Sequence, residues 1–281
     1  MKLLFTLFLI AASAIADDNG CFETAADVVP TAGTDDIVLT VLGSFSSETQ
    51  KLGLDMYDTD QLTCVIATDR NGRQVHSYNT STGVPINSMN LDSTNTNCFG
   101  VAWDHVPMGR QSGYHTNDWM LSTLFYSEDL GASWSYLANP VGDEGRGFDF
   151  DGTDYWITND YLGVCRFQPG GDHQMLATPE IASQLSGLTI FPYLGDIGVA
   201  VTAYNSHFIW FYRWNGTDLD YIGKAPCPFT VDSSLGLAYS MNLGTLFWSY
   251  KQTDGKYGIS ELSLQFTSLS RETWAGIKSS F

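Results

Sequence analysis

Two aspartates occupy matching places in the chain: Asp55 in Gly53-Leu54-Asp55-Met56 and Asp149 in Gly147-Phe148-Asp149-Phe150. Each follows a glycine by two residues and lies between apolar side chains. Carboxylates brought together in this way have two chemical uses. They can hold a hard cation, Ca2+ above all, with backbone carbonyls and water completing its shell. Alternatively one stays protonated as an acid while the other stays ionised, the pairing that hydrolyses glycosides. Asp55 and Asp149 are therefore the metal candidates and, if the protein is an enzyme, the catalytic ones. A structural use competes with both. The equivalent residues elsewhere are Ala102, Thr189 and Ala238, so a crowded axis that admits only small side chains, with the aspartates capping backbone N–H groups, fits the pattern best.

A second set of polar residues follows the apolar runs. The segments are Thr68-Asp69-Arg70-Asn71, Asn159-Asp160-Tyr161, Tyr204-Asn205-Ser206-His207 and Lys251-Gln252-Thr253-Asp254. Polar loops at equivalent ends of a repeat build ligand sites. Asp69, Asp160, Tyr161, Asn205 and His207 are the candidates from these loops, joined by Asn97 and Arg146 from segments leading into the glycines. Arg146 stands out as a cation in an acidic chain. It is suited to an anionic or sugar ligand, or to neutralising Asp143 or Glu144. The longest insertion, Asp104 to Asp118, carries His105, Arg110, Tyr114 and His115. Its two histidines lack a third ligand, so a partner contact is the expectation there. The cluster Phe208, Trp210, Phe211, Tyr212 and Trp214 reads as filling between sheets rather than as a sugar platform.

The elements that must position these residues are strands. Short runs of β-branched and aromatic residues alternate with Gly, Asn, Asp, Ser and Pro clusters, and no long 3.6-residue period appears. Glycine followed by apolar, small or polar, and apolar residues recurs at Gly53, Gly100, Gly147, Gly187 and Gly236, with gaps of 47, 47, 40 and 49 residues. That is the length of a four-stranded propeller blade. The fold class is all-β: a β-propeller of five four-stranded blades, with six as the alternative. Ile37 to Leu42 comes too close before Gly53 to be a blade. It is expected to pair with the last blade and close the ring. Residues 37–281 then form one domain, after a tail over 17–36.

Ser127-Glu128-Asp129-Leu130-Gly131-Ala132-Ser133-Trp134 resembles the Asp-box of sialidase-like, BNR-type propellers. The resemblance covers these eight residues and implies a hairpin between the third and fourth strands of a blade. It does not bring the sialidase activity with it. Those enzymes use three arginines and a tyrosine–glutamate pair, whereas Arg70, Arg73 and Arg110 fall in loops here and the early Arg-Ile-Pro segment is absent.

Residues 1–16 read as an export signal, with Lys2, an apolar run from Leu3 to Ala12, and Ala14-Ile15-Ala16 before Asp17. No other stretch is apolar enough for a membrane span. The expectation is a secreted protein, periplasmic or on the cell surface if bacterial. Export permits disulfides among Cys21, Cys64, Cys98, Cys165 and Cys227, although five cysteines leave one over and strand cysteines also serve as buried hydrophobes. Asn79-Thr80-Ser81 and Asn215-Gly216-Thr217 are glycosylation sequons. With 31 acidic against 13 basic side chains and a net charge of −18, nucleic acid is excluded as a partner. These features together predict a non-catalytic extracellular binding or adhesion propeller with a glycan or protein ligand. A glycan-active hydrolase and a structural envelope or matrix component are the alternatives.

Overall fold

The computed structural model describes residues 37–59, 61–103, 113–160, 162–168, 170–181 and 184–266. The export signal, Cys21, His105, Arg110 and Tyr161 lie outside them. Every regular element among the described residues is a strand. Strand β1 (Ile37–Ser47) is followed by five sets of four. Blade one is β2 (Lys51–Asp58), β3 (Thr63–Asp69), β4 (Gln74–Asn79) and β5 (Pro85–Asn90). Blade two is β6 (Cys98–Trp103), β7 (Tyr114–Asp118), β8 (Thr123–Ser127) and β9 (Ser135–Ala138). Blade three is β10 (Gly145–Phe150), β11 (Tyr155–Asn159), β12 (Gly163–Phe167) and β13 (His173–Leu176). Blade four is β14 (Leu185–Tyr193), β15 (Asp196–Ala203), β16 (Phe208–Trp214) and β17 (Leu219–Pro226).

Blade five has only three consecutive strands, β18 (Ser233–Ser240), β19 (Thr245–Lys251) and β20 (Tyr257–Phe266). Its fourth and outermost strand is β1, which runs antiparallel to β20 with Ile37 opposite Phe266. Five four-stranded antiparallel sheets thus form a closed five-bladed propeller, and the N-terminal strand closes it.

The five repeat glycines explain how the blades fit. Each lies in the innermost strand of its blade, and a Cβ on it would come within 2.7 Å or less of the carbonyl oxygen just before the next blade's glycine. Gly53 abuts Phe99, Gly100 abuts Arg146, Gly147 abuts Ser186, Gly187 abuts Leu235, and Gly236 returns to Leu52. Backbone meets backbone all round the axis, and only glycine leaves room.

A register shift accompanies each glycine, between Lys51 and Leu54, Cys98 and Val101, Gly145 and Phe148, Leu185 and Leu188, and Ser234 and Leu237. The shifted glycine N–H cannot pair with the second strand's backbone. A second-strand side chain accepts it instead: Thr68, Asn117, Thr158, Thr202 or Ser249, at 2.5–2.8 Å. Four of these side chains also donate across the seam, to the carbonyls of Phe99, Arg146, Ser186 and Leu235. Each bulge leaves a buried donor that a second-strand side chain satisfies, and in four of the five the same residue also joins two blades.

The core lies between blades rather than within one layer. Strand β16 shows why. Ile209 and Phe211 face blade five with Leu246 and Trp248, while Trp210, Tyr212 and Trp214 face blade three with Trp156 and Leu176. Side chains alternate along a strand, so a strand buried on both faces must be apolar throughout. That is the role of the aromatic run. Cys64, Cys98, Cys165 and Cys227 are all buried and unpaired. The disulfide expectation is corrected for these four, which pack as hydrophobes.

The Ser127–Trp134 hairpin joins β8 to β9. Asp129 accepts the Ser133 N–H at 2.8 Å and the Ser127 and Ser133 hydroxyls, Gly131 takes a φ of 83°, and Trp134 packs between blades one and two. A further correction concerns the insertion: Tyr114 and His115 belong to β7 and are buried. The His115 ring stacks on Tyr126 at 4.2 Å, and its Nε2 lies 3.2 Å from the Tyr155 hydroxyl. A buried ring held in this way is a core residue, not a metal ligand.

Candidate functional site

Each first strand begins, and each second strand ends, on the same face of the ring. Two positions per blade therefore meet at the axis there. One is the residue before the repeat glycine: Leu52, Phe99, Arg146, Ser186 and Leu235. The other lies two beyond the glycine's polar acceptor: Arg70, Trp119, Asp160, Tyr204 and Lys251. A cavity of about 320 Å³ opens on this face, lined by Gln50, Leu52, Arg70, Phe99, Trp119, Arg146, Gln184, Tyr204 and Asn205. Leu52, Phe99 and Leu235 pack together beneath it, with Trp119 and Tyr204 against them.

Two guanidiniums flank Trp119. The Arg70 carbon is 5.6 Å from the ring centroid and that of Arg146 is 5.7 Å, with Arg146 also 5.7 Å from Phe99. Such stacking holds a charged group in place while leaving its edge free for a ligand. Arg146 donates to Asp160 Oδ2 at 2.9 Å and to the Leu185 carbonyl at 3.4 Å, with Glu144 farther off at 3.8 Å. The sequence offered Glu144 or Asp143 as its partner; Asp160 takes that place. Arg70 donates to Asn97 Oδ1 at 2.6 Å. Arg146 Nε, Asp160 Oδ1 and Trp119 Nε1 are buried without hydrogen-bond partners, a concentration of unmet polar groups at the site.

The rim is fixed by backbone bonds between blades. The Trp119 carbonyl accepts from Glu144 N at 2.8 Å and the Tyr204 carbonyl from Ser234 N at 3.0 Å. Gln184 holds a left-handed φ of 57° at the rim. Its carbonyl accepts from Tyr204 N and its side chain from Asn205 Nδ2.

The sequence candidates divide. Arg146 and Asn205 line the cavity, and Asp160 and Asn97 hold its two arginines. Asp69 does not line it. It points the other way along its strand and binds the buried Lys51 at 2.9 Å and the Gly72 N–H at 2.9 Å. Burial raises its pKa, but hydrogen bonds from His76, Gly72, Thr49 and Lys51 outweigh that and hold it far below the carboxylate range. His207 is exposed in the turn after Tyr204, where its carbonyl accepts from Cys227 N. Gln50, Leu52, Arg70, Phe99, Trp119, Gln184 and Tyr204 are the lining residues that sequence reasoning did not single out.

Asp55 and Asp149 lie near the axis but outside the cavity lining. Asp55 accepts from Met56 N at 2.7 Å and, across the seam, from Trp103 N at 2.5 Å. Asp149 accepts from Phe150 N at 2.6 Å and, across the seam, from Ile190 N and the Thr189 hydroxyl at 2.8 Å. Burial raises both carboxyls, Asp149 to about 6, and the charge of Asp149 raises Asp55 further. Their geometry is that of staples between first strands. Among the described residues, no three His, Cys, Asp or Glu side chains converge as ligands for a metal such as Ca2+.

Neither a family model nor a curated protein matches the chain. Solved structures do. Glutaminyl cyclase from Myxococcus xanthus superposes with a TM-score of 0.59 over 82% of this chain and 97% of its own, at 11% identity. A gluconolactonase from Xanthomonas campestris gives 0.51 over 82% and 91%, at 14% identity, and a nidogen/laminin complex gives 0.50 over 74% of each chain, at 15%. The likeness is one of fold. It corrects the expectation of a non-catalytic binding or adhesion propeller only to this extent: two of these three similar structures are enzymes, so the fold gives that expectation no support. The hydrolase alternative rested on Asp55 and Asp149, which are staples outside the cavity.

Proposed function

We propose that the protein is an enzyme that acts on a small polar substrate in the axial cavity, by attack at a carbonyl that opens or closes a ring. The observation that carries this reading is the stack of Arg70, Trp119 and Arg146 within a cavity of about 320 Å³. Preorganised cations at a partly enclosed site stabilise an oxyanion as it develops. Tyr204 is the lining residue able to donate a proton to it or relay one. Leu52 and Phe99 form an apolar floor for the rest of the substrate. The fold shared with glutaminyl cyclase and gluconolactonase supports the reaction class by analogy only. We also read the Ser127–Trp134 hairpin as an Asp-box turn, on the strength of the Asp129 bonds. That turn lies on the outer edge of blade two and takes no part in the chemistry.

Turnover should be measured against glutaminyl peptides, following ammonia, and sugar lactones, following proton release. The expected result is activity on one of these classes. Arg146→Gln and Tyr204→Phe should each lower kcat/KM by about 100-fold; circular dichroism should show the fold intact in both, with a lower unfolding temperature in Arg146→Gln alone, because that change leaves Asp160 buried without its cation. No turnover of either class, or wild-type rates in both variants, would sink the reading.

A further inference from the structure

We infer that the cavity takes a substrate bearing a carboxylate, seated on Arg70; this deepens the enzyme reading above and rests on it for the word substrate. The inference begins with how the cations are compensated. Lys51, Arg146, Arg166, Arg213, Lys251 and Lys256 each lie against a carboxylate. Arg70 lies against none among the described residues; Arg73 and Lys224 lack one too, but they are exposed to water, whereas Arg70 is half-buried at the cavity in a molecule with 31 acidic side chains. Its side-chain acceptor is the neutral Asn97. A guanidinium has five N–H donors, so most of its hydrogen-bonding capacity is unspent at the cavity wall.

The two arginines are therefore not equivalent. Asp160 neutralises Arg146, whose group is suited to a carbonyl that gains charge only during reaction. Arg70 leaves the cavity with a bare positive charge, and a permanent anion is what completes it. The net charge of −18 repels anions from the surface as a whole, so a half-buried cation at the cavity is a local exception. The planar fork of Arg70 matches a carboxylate. The floor of Leu52 and Phe99 calls for an apolar body attached to it.

Calorimetric titration with hydrocinnamate and its neutral analogue hydrocinnamide tests this on the intact protein. Hydrocinnamate should bind at least about tenfold more tightly. The preference should shrink as salt rises from about 0.01 M to about 0.15 M and the screening length falls from about 30 Å to about 8 Å. Arg70→Gln should abolish the preference and Arg70→Lys should keep part of it, both with unchanged thermal unfolding. Equal binding of the two compounds, binding of neither, a preference that survives Arg70→Gln, or tighter binding of inorganic phosphate would each overturn the inference. Failure here is distinct from failure of the enzyme reading. Turnover of a neutral lactone or peptide without any carboxylate preference removes the inference and leaves the enzyme. A carboxylate preference lost in Arg70→Gln, with no turnover, does the reverse.

Discussion

Asp149 and His115 show how burial sets the state of single residues. Asp149 has a folded pKa near 6 against an ordinary value of 3.8. The folded protein then holds a proton that the unfolded chain releases between those values. The contribution of this residue to stability is fully present below about pH 3.8 and is lost as pH rises through about 6. Stability of the wild type relative to Asp149→Asn should accordingly fall by about 2–3 kcal/mol between pH 4 and pH 7, by denaturant unfolding. A flat difference would show that Asp149 titrates normally. His115 works in the opposite sense. Burial lowers it from 6.5 to about 3, so its contribution is intact at neutral pH and lost as pH falls towards 3. Its ring signals in NMR should not titrate between pH 7 and pH 4.

Among the elements, the innermost strands depend on the repeat glycines for contact rather than for turns. Gly147→Ala would set a methyl group against the Ser186 carbonyl and the Leu188 amide. The cost should reach or exceed the upper end of about 1–3 kcal/mol, since two backbones must part. Gly43→Ala in β1 is the control, with nothing within 4 Å of the new methyl, and should cost under about 0.5 kcal/mol. Thermal or urea unfolding of both variants checks the contrast. These glycines were legible because close approach at the axis repeats once per blade, and each lies in the innermost strand of its blade. The site was less legible, because it takes residues from several blades and is never contiguous. Strand alternation holds the signal that would have found it. Thr68 and Arg70 share a face while Asp69, between them, turns away. Reading two residues past each of Thr68, Asn117, Thr158 and Thr202 leads to Arg70, Trp119, Asp160 and Tyr204. Asp69 was attractive as a charge in a polar loop, but its face of the strand leads to Lys51.

At the scale of the whole molecule, stability depends on closure. β1 supplies Ile37 and Leu39 to the core between blades four and five and covers the outer edge of β20. Leu39→Asp should loosen that strand and uncover an edge able to pair with other chains. Size-exclusion chromatography should then show association, together with a lower unfolding temperature. A monomer with wild-type stability would mean that the ring holds without its clasp.

The antiparallel pairing of Ile37 with Phe266 has one more consequence. The first and last described residues are neighbours in a ring whose five seams are alike. A short linker between them, with new ends opened in the turn between β5 and β6, should return the same toroid from a reordered gene. Blade five would then be made of consecutive strands, and the molecule would no longer rely on a distant segment finding its slot.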